Sequence, residues 1–387
     1  MNDAPHPALL PTGMRDLLPP KAEAEVQVVA RLMASLRGHG YERVKPPLVE
    51  FEETLFAGAG AAMAIATFRM MDPHSHRMIG VRADMTPQIA RIAGTRLGQA
   101  ARPLRLSYAG QVLRVKVSEI RPERQFSQVG AELIGAEGPA ADVEAIAVAG
   151  EALTALGVRH LSVDITLPTL VPAVAEAFGI DGARRAALRA ALDRKDAAAV
   201  GAVAGAAGEI FGRLLAAAGP AGPALAALDR LALPAAARAE RLRLGAVLDG
   251  LAEAAPELAV TVDPVENRGF EYHTGISFTF FAAGLSGNGA TGELGRGGRY
   301  QAGDPLAPEP ATGFSLYAET ILRTLPRPAA PPRLLLPPGA DRDRARALRQ
   351  AGWITVAALD AAGDWRVEAR RLGCSHVLEE GAPVALG

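Results

Sequence analysis

The sequence predicts an α+β fold, an antiparallel sheet flanked by helices with a helical insertion and a small α/β unit at the C-terminal end. Three observations carry this expectation. Residues 104–115 and 123–135 read as two consecutive strands with KVSEIRP between them, an antiparallel pair. The stretch from about 171 to 256 is dominated by Ala, Leu, Arg and Gly, as in ARRAALRAALDRKDAAAVGAVAG, which has high helix propensity and no strand pattern. Strand patterns then return at VTVDPVENRGFEYHTGISFTFFAAG, where SFTFF is strongly β-prone.

The elements follow in order. Residues 21–39 (KAEAEVQVVARLMASLRGH) carry apolar residues at helical spacing and stop near Gly38 and Gly40. YERVKPPLVEF is an extended segment broken by Pro46 and Pro47. Met78 to Val81 leads as a strand into RADMTPQIARIAGTRL, whose helix begins at Thr86–Pro87. After the strand pair come a helix at about 139–156 and a short strand, HLSVDIT. Beyond the insertion, GELGRGGRYQAG reads as a Gly-rich turn and GFSLYAETILRTL as a helix, which closes a core domain at 1–325. Residues 326–333 form a semi-rigid proline linker. Residues 334–387 hold LLLPP, a helix at DRDRARALRQAG, WITVAAL, a helix at DWRVEARRLG, and SHVLEE. A unit of about 55 residues is near the lower size limit for independent folding. No fixed-period repeat is present, which argues against a solenoid.

Composition excludes several classes. The 387 residues have a formal net charge of −1, so no overall basic footprint for nucleic acid exists. A lone cysteine, Cys374, rules out an internal disulfide framework and suits a reducing cytoplasm. MNDAPHPALLPTG lacks the basic and apolar regions of a secretory signal. The most apolar stretch, around 197–228, is interrupted by Glu209, Arg213, Pro220 and Pro223, so no membrane span is expected and the localisation is read as cytoplasmic.

Chemistry concentrates on the strand pair. Tyr108, Gly110, Val112 and Arg114 fall on one face of the first strand, and Arg124, Phe126, Gln128, Gly130 and Glu132 on one face of the second. Such a face either meets water with cross-strand ion pairs, or floors a site that grips an anion at one end and an ammonium at the other. RGFEYHTG adds Arg268, Glu271, Tyr272 and His273 at a strand start. In RADMT, Asp84 suits an ammonium or caps the helix that begins at Thr86. GRGGRY suits a phosphate cradle of backbone N–H groups or a tight hairpin, and lacks the P-loop lysine. HExxH, CxxC and GxSxG are absent, and His74 and His76 have no third ligand at useful spacing, so no metal site is expected.

Taken in order, PTGMRDLLP (11–19), RADMT, the pair YAGQVLRV and RPERQFSQVGAELIG, RGFEY, GRGGRY and GFSLYAETI resemble histidyl-tRNA synthetase from about residue 11 to 325. The resemblance implies a class II aminoacyl-tRNA synthetase-like core, a six-stranded antiparallel sheet, usually dimeric. It places Asp84, Thr86, Gln128 and Glu132 around the amino group and ring of histidine. Arg114 and Arg268 match the arginines that steady carboxylate and phosphate, and Tyr272 the first of two ligand-contacting tyrosines, with His273 in place of the second. There are further departures, most of them at the nucleotide end. Lys116 replaces an acid, Pro122 replaces a loop arginine, RPEGT has become RADMT, and GLER has become YAET, with Thr320 where an arginine binds the ATP γ-phosphate. The C-terminal unit is also short for an anticodon-binding domain. This pattern is similar to a second family, the regulatory subunits of ATP phosphoribosyltransferase, of which RADMTPQIAR and EYHTG look characteristic. That resemblance implies no catalysis and no cofactor. It also implies assembly with a short-form catalytic subunit in the first step of histidine biosynthesis, histidine as ligand and feedback signal, self-association as a dimer, and no tRNA. Two alternatives stay open: an active synthetase forming histidyl-adenylate, and a stand-alone histidine-binding protein.

Overall fold

The computed structural model describes residues 9–115, 123–266, 272–282, 292–304, 307–326, 331–359 and 364–386. Lys116, Pro122, Arg268, Glu271 and residues 327–330 of the proline segment lie outside the described residues. The chain separates into two compact units, Met1–Leu325 and Pro326–Gly387.

In the first unit, helix α1 (Lys21–Gly38) buries Val28, Leu32, Met33 and Leu36, a stripe at helical spacing. The proline-broken segment holds two short strands, β1 (Glu42–Arg43) and β2 (Val49–Phe51), followed by the single turn α2 (Glu52–Leu55). Strands β3 (Phe68–Met71) and β4 (Met78–Val81) join β2 in a small antiparallel sheet, ordered β2-β4-β3. Helix α3 (Thr86–Thr95) carries Pro87 in its first turn, where a missing N–H leaves no bond unmade. Then come β5 (Leu104–Leu113), β6 (Gln125–Ile134), α4 (Pro139–Leu156) and β7 (Leu161–Thr166).

The Ala-rich stretch forms α5 (Leu170–Ala177), α6 (Gly182–Asp193), α7 (Ala197–Ala204), α8 (Gly208–Ala216), a two-residue strand β8 (Gly219–Pro220), α9 (Ala221–Asp229) and α10 (Ala235–Ala254). Strand β8 departs from the all-helical expectation. It sits at a sheet edge, where a proline's missing donor is tolerated. Among the described residues, Ala197–Ala216 is the one stretch apolar and long enough to cross a membrane. It is two helices broken at Gly205–Ala207, and Val200, Phe211 and Leu214 are buried in the core.

The unit closes with β9 (Ala259–Asp263), β10 (Ser277–Ala282), β11 (Gly292–Asp304), β12 (Ala307–Tyr317) and α11 (Ala318–Thr324). Its main sheet runs β1-β5-β6-β12-β11-β10-β7-β9-β8. The central run from β5 to β7 is antiparallel throughout. The whole sheet is mixed rather than purely antiparallel, because β1 lies parallel to β5 and β9 parallel to β7. The β7–β9 connection is the helical insertion, the long crossover that a parallel pair requires.

Two sequence expectations are corrected here. GELGRGGRYQAG is not a turn but most of β11. Its glycines are required by neighbours: a Cβ on Gly297 would lie 2.2 Å from the Gly313 carbonyl oxygen and 2.5 Å from the Phe278 ring. The backbone of GRGGRY is paired to β10 on one side and β12 on the other, so its N–H groups do not form a phosphate cradle. GFSLY likewise ends β12 rather than starting a helix, since β6 offers it a full ladder, and α11 begins only at Ala318.

Strand β6 is buried at every position after Gln125. One face joins the large core formed with α1, α4 and the insertion helices. The other meets α3 through Met85, Ile89, Tyr108, Phe126, Tyr300 and Tyr317. A polar face on this strand therefore does not meet water.

The second unit contains β13 (Arg333–Leu336), α12 (Arg342–Gln350), β14 (Ile354–Ala357), α13 (Trp365–Arg371), β15 (His376–Glu379) and β16 (Ala382–Ala385). Its sheet is ordered β14-β13-β15-β16, with only the last pair antiparallel. Asp341 and Asp364 cap the two helices through backbone N–H groups of the first turn. Strand β16, after the left-handed Glu380 and Gly381, is too short to show a period in sequence.

Candidate functional site

Sheet register assembles the site. Glu132 on β6 stands opposite Leu106 on β5 and Gly313 on β12, and Gly313 opposite Gly298 on β11. The next row on the same face reads Tyr108, Gly130, Ser315 and Arg296, and the one after it Gly110, Gln128 and Tyr317. Side chains thus alternate with glycines across the strands, leaving a cavity above the sheet that opens to solvent and is lined by Asp84, Thr86, Glu132, Tyr272, Arg296 and Tyr300.

Glu132 forms the floor. Its carboxylate accepts hydrogen bonds from the hydroxyls of Tyr108 (2.9 Å), Thr86 (3.0 Å) and Tyr300 (2.9 Å). Burial nonetheless pushes its pKa up to about 8, the three donors and the neighbouring Asp84 charge being smaller influences. Gly313 is obligatory beside it, because a Cβ there would stand 1.8 Å from Glu132 Oε2. Gly130 similarly makes room for the Tyr108 ring, which a Cβ would approach to 2.4 Å.

The amide of Gln128 is fully engaged. Its Oε1 accepts from the Met85 N–H at 3.0 Å, and Nε2 donates to Asp84 Oδ1 at 3.1 Å and Ser315 Oγ at 2.6 Å. Asp84 Oδ1 also accepts the Thr86 N–H at 2.9 Å, so the acid does hold the start of α3. It does so from just ahead of the helix, whose N-cap is Met85 with no side-chain cap bond, while lining the cavity with Thr86 and Glu132. Tyr272 and His273 also line the cavity, with Tyr272 edge-on to Tyr300 at 5.9 Å between centroids.

Arg114 stands outside the cavity wall. Its Nη2 lies 3.6 Å from Asp84 Oδ2, Nε donates to the Ala83 carbonyl at 3.1 Å, and the guanidinium sits 5.0 Å from the Phe126 ring centroid. Arg124 is turned to backbone, donating to the carbonyls of Arg114 and Thr12. Arg268 lies outside the described residues. Among the described residues no group of three or more His, Cys, Asp or Glu is placed to hold a metal ion.

Among the wall residues that sequence reasoning missed are Arg296, Tyr300, Ser315 and Tyr317. All four sit at alternate positions of GRGGRY and GFSLY, and reading those stretches as strands would have exposed them. Tyr317 occupies the position where the synthetase pattern GLER has its glycine. Its ring is buried and meets the edge of Phe126 at 5.5 Å. Thr320, in the arginine position, is half-buried in the first turn of α11 and faces Gly292, whose added Cβ would lie 2.9 Å from its methyl. A threonine hydroxyl carries neither the charge nor the reach of a guanidinium fork.

A family model described as histidyl-tRNA synthetase matches residues 13–321. A Paramagnetospirillum magneticum protein named ATP phosphoribosyltransferase regulatory subunit is 56% identical over 378 residues, which cover 98% of each chain. The protein of the same name from Rhodospirillum centenum is 55% identical over 374 residues, 97% of this chain and 95% of that one. A solved Bacillus halodurans structure, described as an ATP phosphoribosyltransferase regulatory subunit/histidyl-tRNA synthetase, has the same fold. Its TM-score is 0.81 at 24% identity, covering 97% of this chain and 98% of that one.

Proposed function

The chain belongs to the ATP phosphoribosyltransferase regulatory subunit family, on a histidyl-tRNA synthetase domain, and on that premise we propose that it acts by assembly and sensing and not by catalysis. Its partner is the catalytic subunit of ATP phosphoribosyltransferase, which it supports in the first step of histidine biosynthesis and to which it conveys feedback by histidine. The cavity over Glu132 takes the histidine, with Asp84 toward the ammonium and Glu132 toward the ring. The resemblance gives Arg114 and Arg268 the carboxylate of the ligand; Arg114 stands beside the described wall, and Arg268 lies outside the described residues.

One observation carries this reading. Asp84, Thr86, Gln128 and Glu132, the residues that the resemblance sets around histidine, are joined in one hydrogen-bond network, while Tyr317 and Thr320 stand where the synthetase pattern GLER has its glycine and its ATP-binding arginine. Loss of one preorganised donor to a reacting group costs about 10²–10³ in rate, so a site with Thr320 in the arginine position is poorly equipped to activate ATP. Ligand control then follows from differential affinity: histidine shifts the assembly only by as much as it prefers one of its states.

The test is reconstitution. The purified protein is mixed with a short-form ATP phosphoribosyltransferase catalytic subunit, and phosphoribosyl transfer is assayed with and without histidine, with histidyl-tRNA formation measured in parallel. Stimulated transfer that histidine inhibits, with no charging, is expected. Charging at synthetase-like rates, or a catalytic subunit indifferent to this chain, would overturn the proposal.

A further inference from the structure

Arg296 enters the cavity through an irregularity in β11. In a regular strand residues three apart lie on opposite faces, yet Arg296 donates to Glu293 in a bidentate pair, Nε to Oε1 at 2.7 Å and Nη2 to Oε2 at 2.5 Å. The ladder to β10 explains this. Phe280 pairs with Gly295 and Phe281 with Glu293, so Leu294 is the extra residue of a bulge. Leu294 turns into the large core on the far face, and Glu293 gains the face of Arg296. Glu293 is 4% exposed, so the guanidinium is held from behind by a buried carboxylate with its planar fork fixed. Among the described residues lining the cavity, Arg296 is the one arginine or lysine.

The opposite end of the cavity is acidic. Asp84 and Glu132 stand on the far side of β12, and strand spacing and rise put the Cα atoms of Glu132 and Arg296 about 12 Å apart. The cavity thus carries a cation on one side of β12 and two acids on the other, the charge pattern of one small dipolar molecule. Resting on the pocket reading above, we propose that Arg296 is the specificity-determining anion anchor. It bonds the carboxylate of a free α-amino acid whose ammonium faces Asp84, and so makes the cavity selective for the intact zwitterion. Arg114 lies behind the acid and outside the cavity wall, its Nε donating to the Ala83 carbonyl and its buried Nη2 3.6 Å from Asp84 Oδ2 with no hydrogen-bond partner among the described residues.

Calorimetry on the full-length protein with L-histidine and with L-histidinol, which keeps the ammonium and imidazole but lacks the carboxylate, tests this. Wild type is expected to bind histidine at least about tenfold more tightly, the scale of one charge-assisted hydrogen bond. Arg296→Gln should bring the two affinities together, and Arg296→Lys should restore part of the preference. Arg296→Gln/Glu293→Gln, run beside them, removes the carboxylate that a single change would strand, and circular dichroism confirms the fold of each variant. Equal affinity of wild type for both ligands, or undiminished preference in both folded glutamine variants, would overturn the role of Arg296 and leave the pocket reading intact. Binding of neither ligand by wild type would overturn the pocket reading, and this inference with it.

Discussion

Glutamate 132 should make this protein lose stability as the solution becomes more basic. Its carboxyl is pushed up to about 8 from the ordinary 4.5, first because burial removes its water. A carboxyl with a raised folded pKa binds a proton in the folded chain that the unfolded chain has already released. Its contribution is therefore fully present below the unfolded value and is lost as pH rises through the folded one. Each pH unit in that window corresponds to about 1.4 kcal/mol, so the loss across pH 5 to 8 is on the order of 4 kcal/mol. Glu132→Gln keeps the shape and the neutral charge at every pH, and the hydroxyls of Tyr108, Tyr300 and Thr86 can rotate to meet it. Urea unfolding of both proteins should be followed by far-UV circular dichroism, because Trp353 and Trp365 both lie in the second unit. The advantage of wild type over Glu132→Gln should shrink steadily from pH 5 to pH 8, while all other titrations cancel in the difference. A wild-type minus variant difference that stays flat across this range would refute the reasoning.

Two further outcomes rest on packing and charge. Gly313→Ala places a methyl 1.8 Å from Glu132 Oε2, which should cost about 1–3 kcal/mol in unfolding free energy and abolish calorimetric histidine binding; a variant as stable as wild type with full affinity would contradict the site geometry. Asp142→Asn should cost about 3–5 kcal/mol in urea unfolding at pH 7, because Asp142 is the buried acid that takes the Arg299 guanidinium at 3.0 Å, and an unchanged midpoint would show that the pair does not hold α4 to β11.

Much of the frame was legible in the residues. Period-two alternation in RQFSQVGAE put Gln128 and Glu132 on one face before any coordinates, and helical spacing in 21–39 located α1 to within one residue. The composition of the insertion marked it as helical, and the motif order pointed to the class of fold. The misread stretches were GELGRGGRY and GFSLY. Glycine carries no side-chain pattern, so whether it marks a turn or a crowded strand depends on what lies across from it. For Gly297 that is the Gly313 carbonyl and the Phe278 ring, which are near only after folding.

The amino-acid sequence by itself thus determined which residues are available and, through strand and helix periodicity, which of them share a face. Only the tertiary structure decided which faces meet. Thr86 and Glu132 are 46 positions apart in the chain and 3.0 Å apart in the fold, and Tyr300 reaches the same carboxylate from 168 positions away. The bulge that turns Glu293 toward Arg296 arises from the β10 ladder and leaves no local signature. The proton affinity of Glu132 was equally out of reach, because it is set by the water that its neighbours exclude. Local periodicity is a property of the backbone, whereas a site of this kind is a property of strand register, and register is fixed only when the whole sheet closes around it.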